Sequence, residues 1–237
     1  MELLPIIVIV FVAMLIQTSV GFGMGLVSMP LLLGILDPIG AAALVSLVGI
    51  TSEIYMIFRY RHRLQLRVVL RLIVASVIGI PFGVLSLGLL DERVILSVLA
   101  FIMIGYALVS LLNFPIPVIK NENWSFGFGF LAGVLGGAYN TSGPPLIIYG
   151  TARRWSPGEF KVNLQMVFLS NSIIVIATRV LAGQYTSDVF RHYAVALPAM
   201  IIAGWIGLRL DKRIDPVQFR KLVLVLLLVL GIRLLLP

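Results

Sequence analysis

The sequence lacks cysteine and has few charged residues. None of its 237 residues is Cys, which excludes disulfides, iron–sulfur clusters and thiolate zinc sites. Only 12% are charged, against roughly 25% in a soluble domain, and 60% are hydrophobic. No water-soluble fold could bury that much apolar surface, so the composition predicts an integral membrane protein in a lipid bilayer. The net charge of +8 is then typical of basic cytoplasmic loops rather than of nucleic-acid binding.

The chain also lacks the residue clusters that enzymes and metal proteins use. No phosphate-binding loop, nucleophile elbow or zinc-protease motif occurs. His62 and His192 lie in or near loops beside arginines, without a second ligand at metal-site spacing. We therefore expect no metal, no cofactor and no enzymatic activity. Residues 1–16 have no basic segment at their start and no cleavage site after them, so we expect them in the mature protein.

Six apolar stretches are long enough to cross a bilayer without interruption. A bilayer core ~30 Å thick needs about 20 apolar residues in a helix. All six are rich in Leu, Val and Ile with scattered Gly, as expected for helices in lipid. They run over Ile39–Arg59, Val68–Leu90, Val94–Phe114, Phe160–Ala182, Val189–Leu210 and Val217–Leu236. The sequence therefore predicts an all-α, polytopic membrane protein.

Two further apolar segments, Leu3–Leu36 and Trp124–Thr151, are broken by glycine, proline and polar residues. The breaks lie at residues 17–25 and 136–145. Glycine weakens a helix, and proline removes a backbone donor. Interrupted backbone at membrane depth survives only inside protein or along a watery cavity. We therefore expect both breaks in the protein interior.

The positions of the breaks indicate an internal duplication. Gly21 and Gly136 lie 115 residues apart, and so do Pro30 and Pro145. Two other proline pairs repeat at offsets of 117 and 119 residues. A near-constant offset between breaker positions is typical of transporters built from two structural repeats.

Counting basic residues indicates how the broken segments enter the membrane. If both crossed it, nine basic residues would lie on each side. If each is a re-entrant hairpin, fourteen lie inside and four outside, which the positive-inside rule favours. Each half is then a hairpin plus three transmembrane helices, so tandem copies must have opposite orientation. The predicted architecture is two inverted repeats, residues 1–114 and 124–237, with a linker at residues 115–123.

Breaks of this kind favour the binding of a small anion. The second helix of each hairpin presents its N-terminus to the centre, where free N–H groups and the helix dipole attract anions. Neutral side chains would add donors without a buried lysine or arginine. The alternative is that the glycines only permit tight helix packing, and that Gln165 and Asn171 only bridge helices by hydrogen bonds. The candidate binding residues are Gln17, Ser19, Gly21, Gly23, Gly25 and Ser28, then Gly136, Gly137, Asn140, Thr141, Ser142 and Gly143, and finally Gln165 and Asn171 on a later helix.

Two charged residues within the predicted spans have alternative roles. Glu53 is a candidate proton-coupling carboxylate, because intramembrane acids are often functional. It could instead pair with Arg59, Arg71 or another nearby base, or extend toward the inner membrane surface. Arg179, toward the outer end of its helix, would either attract anions in a vestibule or extend to the membrane interface.

Both broken segments carry a glycine–proline motif. The first reads Gly21-Phe-Gly-Met-Gly25 followed by Pro30-Leu-Leu, and the second reads GVLGGAYNTSGPPL at residues 133–146. The two motifs resemble the first and second signatures of one family, the sulfite exporter TauE/SafE family, also called TSUP anion permeases. The resemblance spans the whole chain. It implies a secondary carrier of sulfur-containing anions such as sulfite, thiosulfate, sulfoacetate or isethionate, in a bacterial or archaeal cytoplasmic (inner) membrane. Met24 and residues 139–141 depart from the commoner signatures, where substrate should touch.

The sequence predicts an alternating-access, proton-coupled transporter of small anions, and the family resemblance implies that these are sulfur-containing organic or inorganic anions. A passive anion channel is the alternative. A membrane-embedded enzyme and a structural subunit of a larger complex are weaker rivals. Import and export remain open at this point, and so does a homodimer.

Overall fold

Helices make up the regular structure of the part of the chain that the computed structural model describes, which is residues 3–60, 66–89, 91–112, 117–210 and 216–235. Four of these helices, α3, α4, α8 and α9, contain stretches long and apolar enough to cross a membrane. The predicted all-α, polytopic fold is confirmed. The helices are α1 (Leu3–Val20), α2 (Met24–Leu32), α3 (Pro38–Tyr60), α4 (Leu66–Leu89), α5 (Glu92–Leu111), α6 (Trp124–Tyr139), α7 (Gly143–Ala152), α8 (Pro157–Leu181), α9 (Ser187–Leu210) and α10 (Pro216–Leu235).

Each broken segment folds as a long helix, a short turn and a short helix. Gly21 and Gly23, between α1 and α2, have φ values of +91° and +124°, which side chains with a Cβ rarely adopt. Between α6 and α7, Asn140 has a φ of +53°, a left-handed conformation that Asn tolerates. We call α1 with α2 the first hairpin, and α6 with α7 the second hairpin.

The long arm of each hairpin packs against a helix of the other half of the chain. Gly204 and Gly207 of α9 lie against Met14 and Thr18 of α1, so these two helices run parallel. Small residues let the two backbones approach, as is usual for helices in membranes.

The second hairpin packs more closely still. Gly129 and Gly137 of α6 lie against the backbones of Leu72 and Ile80 of α4, so α6 and α4 also run parallel. The two contacts correspond to each other, because the long arm of each half packs against a helix of the other half: α1 packs against α9, and α6 packs against α4.

Helix α3 runs parallel to α9, and therefore to α1. Ser46 bonds to Tyr185, just before α9, and Thr51 bonds to Tyr193 within it. Farther along α3, Tyr55 lies against Gly204. The long arm of the first hairpin thus points in the same direction as α3.

Helix α8 runs antiparallel to α3. Ser46 lies early in α3 and bonds to Tyr185 after the end of α8, whereas Glu53 lies later and bonds to Ser172. Helix α6 runs parallel to α8, because ring contacts join the start of α6 to the start of α8, and Arg179 near the end of α8 bonds to the end of α6. The two long arms therefore point in opposite directions, as inverted repeats require. The duplication itself stays a prediction.

Candidate functional site

The two breaks meet at one small cavity in the protein interior. A Cβ atom on Gly25 of the first hairpin would overlap the backbone oxygen of Asn140 in the second, so only glycine permits this approach. The cavity is small, since the space open to water-sized molecules is about 30 Å³, enough for about two waters. It is lined by Gln17, Gly23, Met24, Gly25 and Leu26, by Asn140, Thr141, Ser142 and Gly143, and by Gly49, Glu53, Phe168, Asn171 and Ser172.

The side chains of two glutamines stabilise the conformation of the first break through hydrogen bonds. The side-chain oxygen of Gln17 accepts a hydrogen bond of 3.0 Å from the Met24 N–H, which begins α2. The Gln17 amide also donates to Gln165 at 3.5 Å, and Gln165 donates to the backbone oxygen of Gly21 at 2.7 Å. These bonds satisfy backbone groups that the helix ends leave unpaired.

Side-chain hydrogen bonds also stabilise the conformation of the second break. The Asn140 amide donates to the backbone oxygen of Val45 at 3.0 Å, and the Asn171 amide donates to the Ser142 hydroxyl at 3.1 Å. Helix α7 begins with Gly143 and two prolines, which have no N–H to offer a ligand. Donors at this tip must therefore come largely from side chains.

Three buried polar atoms in the cavity wall have no hydrogen-bond partner. They are Oε2 of Glu53, Oγ1 of Thr141 and Oδ1 of Asn171. Buried polar atoms are nearly always bonded, and an unmade bond costs about 1–3 kcal/mol. Half a turn of the Asn171 amide would present its NH₂ to the cavity instead, because the Ser142 hydroxyl can donate as well as accept. These atoms are therefore available to bond to a polar molecule in the cavity.

Glu53 is a buried carboxyl group that faces this cavity. Its other oxygen accepts a hydrogen bond of 2.9 Å from the Ser172 hydroxyl. Ion pairs among the described residues do not include Glu53, and Arg71 instead pairs with Glu122 at 2.6 Å. The suggested pairing with Arg71 is therefore wrong, and the side chain of Arg59 lies outside the described residues.

Arg179 is fully buried beside the second break. It donates to the backbone oxygens of Gly137 and Ala138, the latter at 3.2 Å, and to Oε1 of Gln184 at 2.7 Å. The side chain lies neither in a vestibule nor at the membrane interface. The sequence also predicts tips without a buried arginine, and Arg179 contradicts that expectation.

Several other sequence-predicted residues lie near the cavity but outside its wall. Ser19 and Ser28 donate their hydroxyls to carbonyls one turn back in their own helices. Gly136 lies against the second break, and Gly137 lies against α4. Together with Gly21 and Gln165, these residues shape the tips, and direct contact with a ligand stays a prediction for all of them.

Sequence reasoning missed part of the wall, most notably Ser172. The prolines that begin α3 and α8, Pro38 and Pro157, are 119 residues apart, and so are Glu53 and Ser172. The bond between Glu53 and Ser172 therefore joins equivalent positions of the two proposed repeats. That offset could have identified Ser172 before the structure did. The other missed residues are Leu26, Gly49 and Phe168, whereas Met24 was expected at the substrate through its departure from the family signature.

Metal ligation finds no support in the described part of the chain. There, no group of three or more His, Cys, Asp or Glu side chains could hold a metal ion. His62, considered in the sequence analysis, lies outside the described residues.

Comparison with known proteins places this geometry in a family. The family model named sulfite exporter TauE/SafE matches residues 6–234. The chain belongs to this family. A probable sulfite/organosulfonate exporter TauE from Cupriavidus necator is 28% identical over 227 residues, covering 93% of this chain and 89% of the relative. A probable inner membrane transporter protein TsaS from Comamonas testosteroni is 28% identical over 159 residues, 66% of each protein. No solved structure shows a significant match.

Family membership confirms what the two glycine–proline motifs imply. The protein is a membrane transporter rather than an enzyme, and it is integral to the inner membrane. Both motifs lie within the matched residues, and the cavity between the two breaks is the place where their residues come together.

Proposed function

We propose that this protein is a secondary transporter of small sulfur-containing anions, such as sulfite, thiosulfate, sulfoacetate or isethionate, and that the cavity between the two breaks binds them. The observation that carries the proposal is the set of three unpartnered polar atoms around this cavity, on Glu53, Thr141 and Asn171. The relative from Cupriavidus necator, named as a sulfite/organosulfonate exporter, supports the class of substrate.

A proton is the proposed coupling ion, and Glu53 its carrier. An anion in the cavity and an ionised Glu53 would repel each other strongly, because little water separates them. Anion and proton would therefore occupy the site together, and both would leave together. The bond from Ser172 holds one carboxyl oxygen, which leaves the other to exchange a proton with the cavity.

Alternating access is the proposed mechanism. In this proposal residues 1–114 and 124–237 are inverted repeats, and a movement of one group of helices against the other opens the cavity to each side in turn. The opposite directions of α1 and α6 support it. Pro81 within α4 and Pro198 within α9 are the proposed bends, since proline kinks helices. A homodimer stays a prediction.

Uptake into proteoliposomes tests the proposal directly. Sulfite, thiosulfate, sulfoacetate and isethionate are offered separately, with and without an imposed pH gradient. We expect at least one anion to accumulate above its external concentration when the gradient is present. Equilibration without accumulation would favour the passive channel, and no saturable flux of any anion would reject the substrate class.

The Glu53→Gln variant tests the coupling residue. It should retain anion binding but lose accumulation driven by the pH gradient, because an amide cannot carry the proton. Asp91→Asn, which removes an exposed acid before α5, is the matched control and should transport like the wild type. Undiminished gradient-driven accumulation by Glu53→Gln would assign proton coupling to another group.

A further inference from the structure

Arg179 is a buried cation next to the second break. All its described partners are neutral, namely the backbone oxygens of Gly137 and Ala138 and the amide oxygen of Gln184. The ion pairs of the described residues involve Glu122 and do not include Arg179. A charge in this position is costly to bury, so it calls for a role beyond filling space.

The position of Arg179 at the end of α6 explains the effect of its positive charge. The last carbonyls of a helix carry the negative end of its dipole, and α6 ends at Tyr139, directly before the cavity residues Asn140 and Thr141. These carbonyls would repel an anion. Arg179 binds two of them and brings a full positive charge two to three residues from the cavity wall.

A cation also lies at the first hairpin, where the side chain of Lys161 packs against Gly21. At the end of α1 the neutral amide of Gln165 donates to the backbone oxygen of Gly21. Its neighbour α2, however, begins with residues that have backbone N–H groups, whereas α7 begins with two prolines. The charge of Arg179 thus lies at the tip that has fewer backbone donors.

We infer that Arg179 is a positioning residue for the substrate, and that its charge makes the second break attractive to an anion without touching it. The inference rests on the proposed function, because it concerns the same cavity. It assigns the affinity for anions to a buried charge as well as to the neutral donors of the wall.

Gln184→Glu is the sharpest test, because it neutralises the charge but keeps the bond. A carboxylate can accept from Arg179 as the amide oxygen does, so the cap on α6 stays intact. We expect KM for the transported anion to rise about tenfold or more, with a smaller change in maximal rate. A unit charge acting through an effective dielectric constant near 20 is large enough for this effect. The control is Ser187→Glu, which adds the same charge on an exposed residue at the start of α9.

Substitutions of Arg179 itself separate charge from geometry. Arg179→Lys keeps the charge, and Arg179→Gln keeps a donor but loses the charge. We expect Lys to retain KM within about threefold and Gln to raise it about tenfold. Arg153→Gln is the control for a lost backbone cap, because Arg153 donates to the backbone oxygens of Ile119 and Lys120 away from the cavity. It should leave KM unchanged.

The outcomes distinguish this inference from the proposed function. Absence of transport of sulfite, thiosulfate, sulfoacetate and isethionate by the wild type would refute the proposed function itself. Wild-type transport with an unchanged KM in Gln184→Glu would overturn the role of the charge. Equal increases in KM for Arg179→Lys and Arg179→Gln would also overturn it, since geometry alone would then explain them. If Arg179→Gln does not fold, Gln184→Glu and Ser187→Glu still decide the matter.

Discussion

The two hairpins reach the same cavity by different chemical means. The first tip is shaped by backbone, with Gly21 and Gly23 at positive φ and glutamine amides closing the turn. The second tip carries side chains, because Asn140 makes the left-handed turn and also bonds across to α3. The difference teaches that a backbone-lined wall and a side-chain-lined wall can enclose one cavity, and we expect them to fail in different ways when mutated.

The base of the second hairpin is also the more firmly anchored. A chain of ring contacts, with centroids 5.6–6.5 Å apart, joins α6, α7 and the start of α8. Glu122 adds ion pairs to Arg71 and Arg153 at 2.6 and 3.8 Å. Among the described residues, the ring contact of the first hairpin is at its tip, between Phe22 and Tyr106. The first hairpin is therefore the arm that we expect to move more readily during transport.

The largest effect should come from the packing of the second hairpin. Gly133→Ala would drive a methyl group into the backbone of Ser76 in α4, where neither helix can yield. We expect a loss of about 3 kcal/mol or more in stability, measured by thermal melting in detergent. The first hairpin should respond less, because Gly207→Ala meets mainly the Thr18 side chain.

Gly127→Ala is the control for this comparison. It lies on the same helix as Gly133, and a methyl group there meets nothing within 4 Å. It should leave the melting temperature unchanged or raise it slightly, since alanine favours helix. A similar loss in Gly127→Ala and Gly133→Ala would show that helix propensity, not contact with α4, sets the effect.

The contact between the two tips should give the next largest effect. Gly25→Ala would place a methyl group on the backbone oxygen of Asn140 and force the hairpins apart. We expect transport to fall about tenfold or more, because even a 1 Å displacement of binding groups can cost about a hundredfold. Stability should fall less than in Gly133→Ala, since one contact at a cavity is lost rather than a helix interface.

Gly105→Ala controls for the loss of a membrane glycine as such, because a methyl group there also meets nothing within 4 Å. It should transport normally. Normal transport by Gly25→Ala would mean that the tips need not touch during the cycle.

Removal of a polar side chain from the second tip should have a moderate effect on anion binding. Thr141→Val keeps the shape of the residue but removes the hydroxyl whose oxygen has no partner. We expect anion binding to weaken by about 1–3 kcal/mol, measured as a shift in Kd by calorimetry. Thr151→Val is the matched control, because that hydroxyl bonds to the Ile147 carbonyl within α7, away from the cavity. Equal losses in both variants would place the effect outside the cavity.

The sequence was informative about the breaks and less so about their surroundings. Proline and glycine act on the local backbone, so the pattern could place both interruptions and predict that they meet. The pairing of α6 with α4 could not be read from it, because long-range pairing depends on which faces meet in three dimensions. Arg179 illustrates the same limit, since its position near a helix end is typical of an interfacial arginine.

Polar residues near a break were equally hard to assign. Ser28 and Thr141 are both small hydroxyl residues beside a break, yet Ser28 donates to its own helix while Thr141 faces the cavity. The choice depends on whether a carbonyl one turn back is within reach, which sequence does not show. The offset between the two proposed repeats was the one sequence feature that could relate such a residue to the cavity, as it relates Ser172 to Glu53.

The smallest effect on anion binding should come from a substitution at the tip of the first hairpin. Gln17→Leu removes the side-chain oxygen that accepts from Met24 N–H and the amide that donates to Gln165. Since Met24 is only one of the N–H groups at the start of α2, we expect anion binding to weaken by about 1 kcal/mol, or roughly fivefold in Kd. Gln17→Glu sharpens the comparison, because it keeps the acceptor but adds a negative charge at the cavity. It should weaken binding far more than Gln17→Leu if this tip contacts the anion. If both variants bind like the wild type, the first hairpin only closes the cavity, and the second hairpin alone holds the substrate.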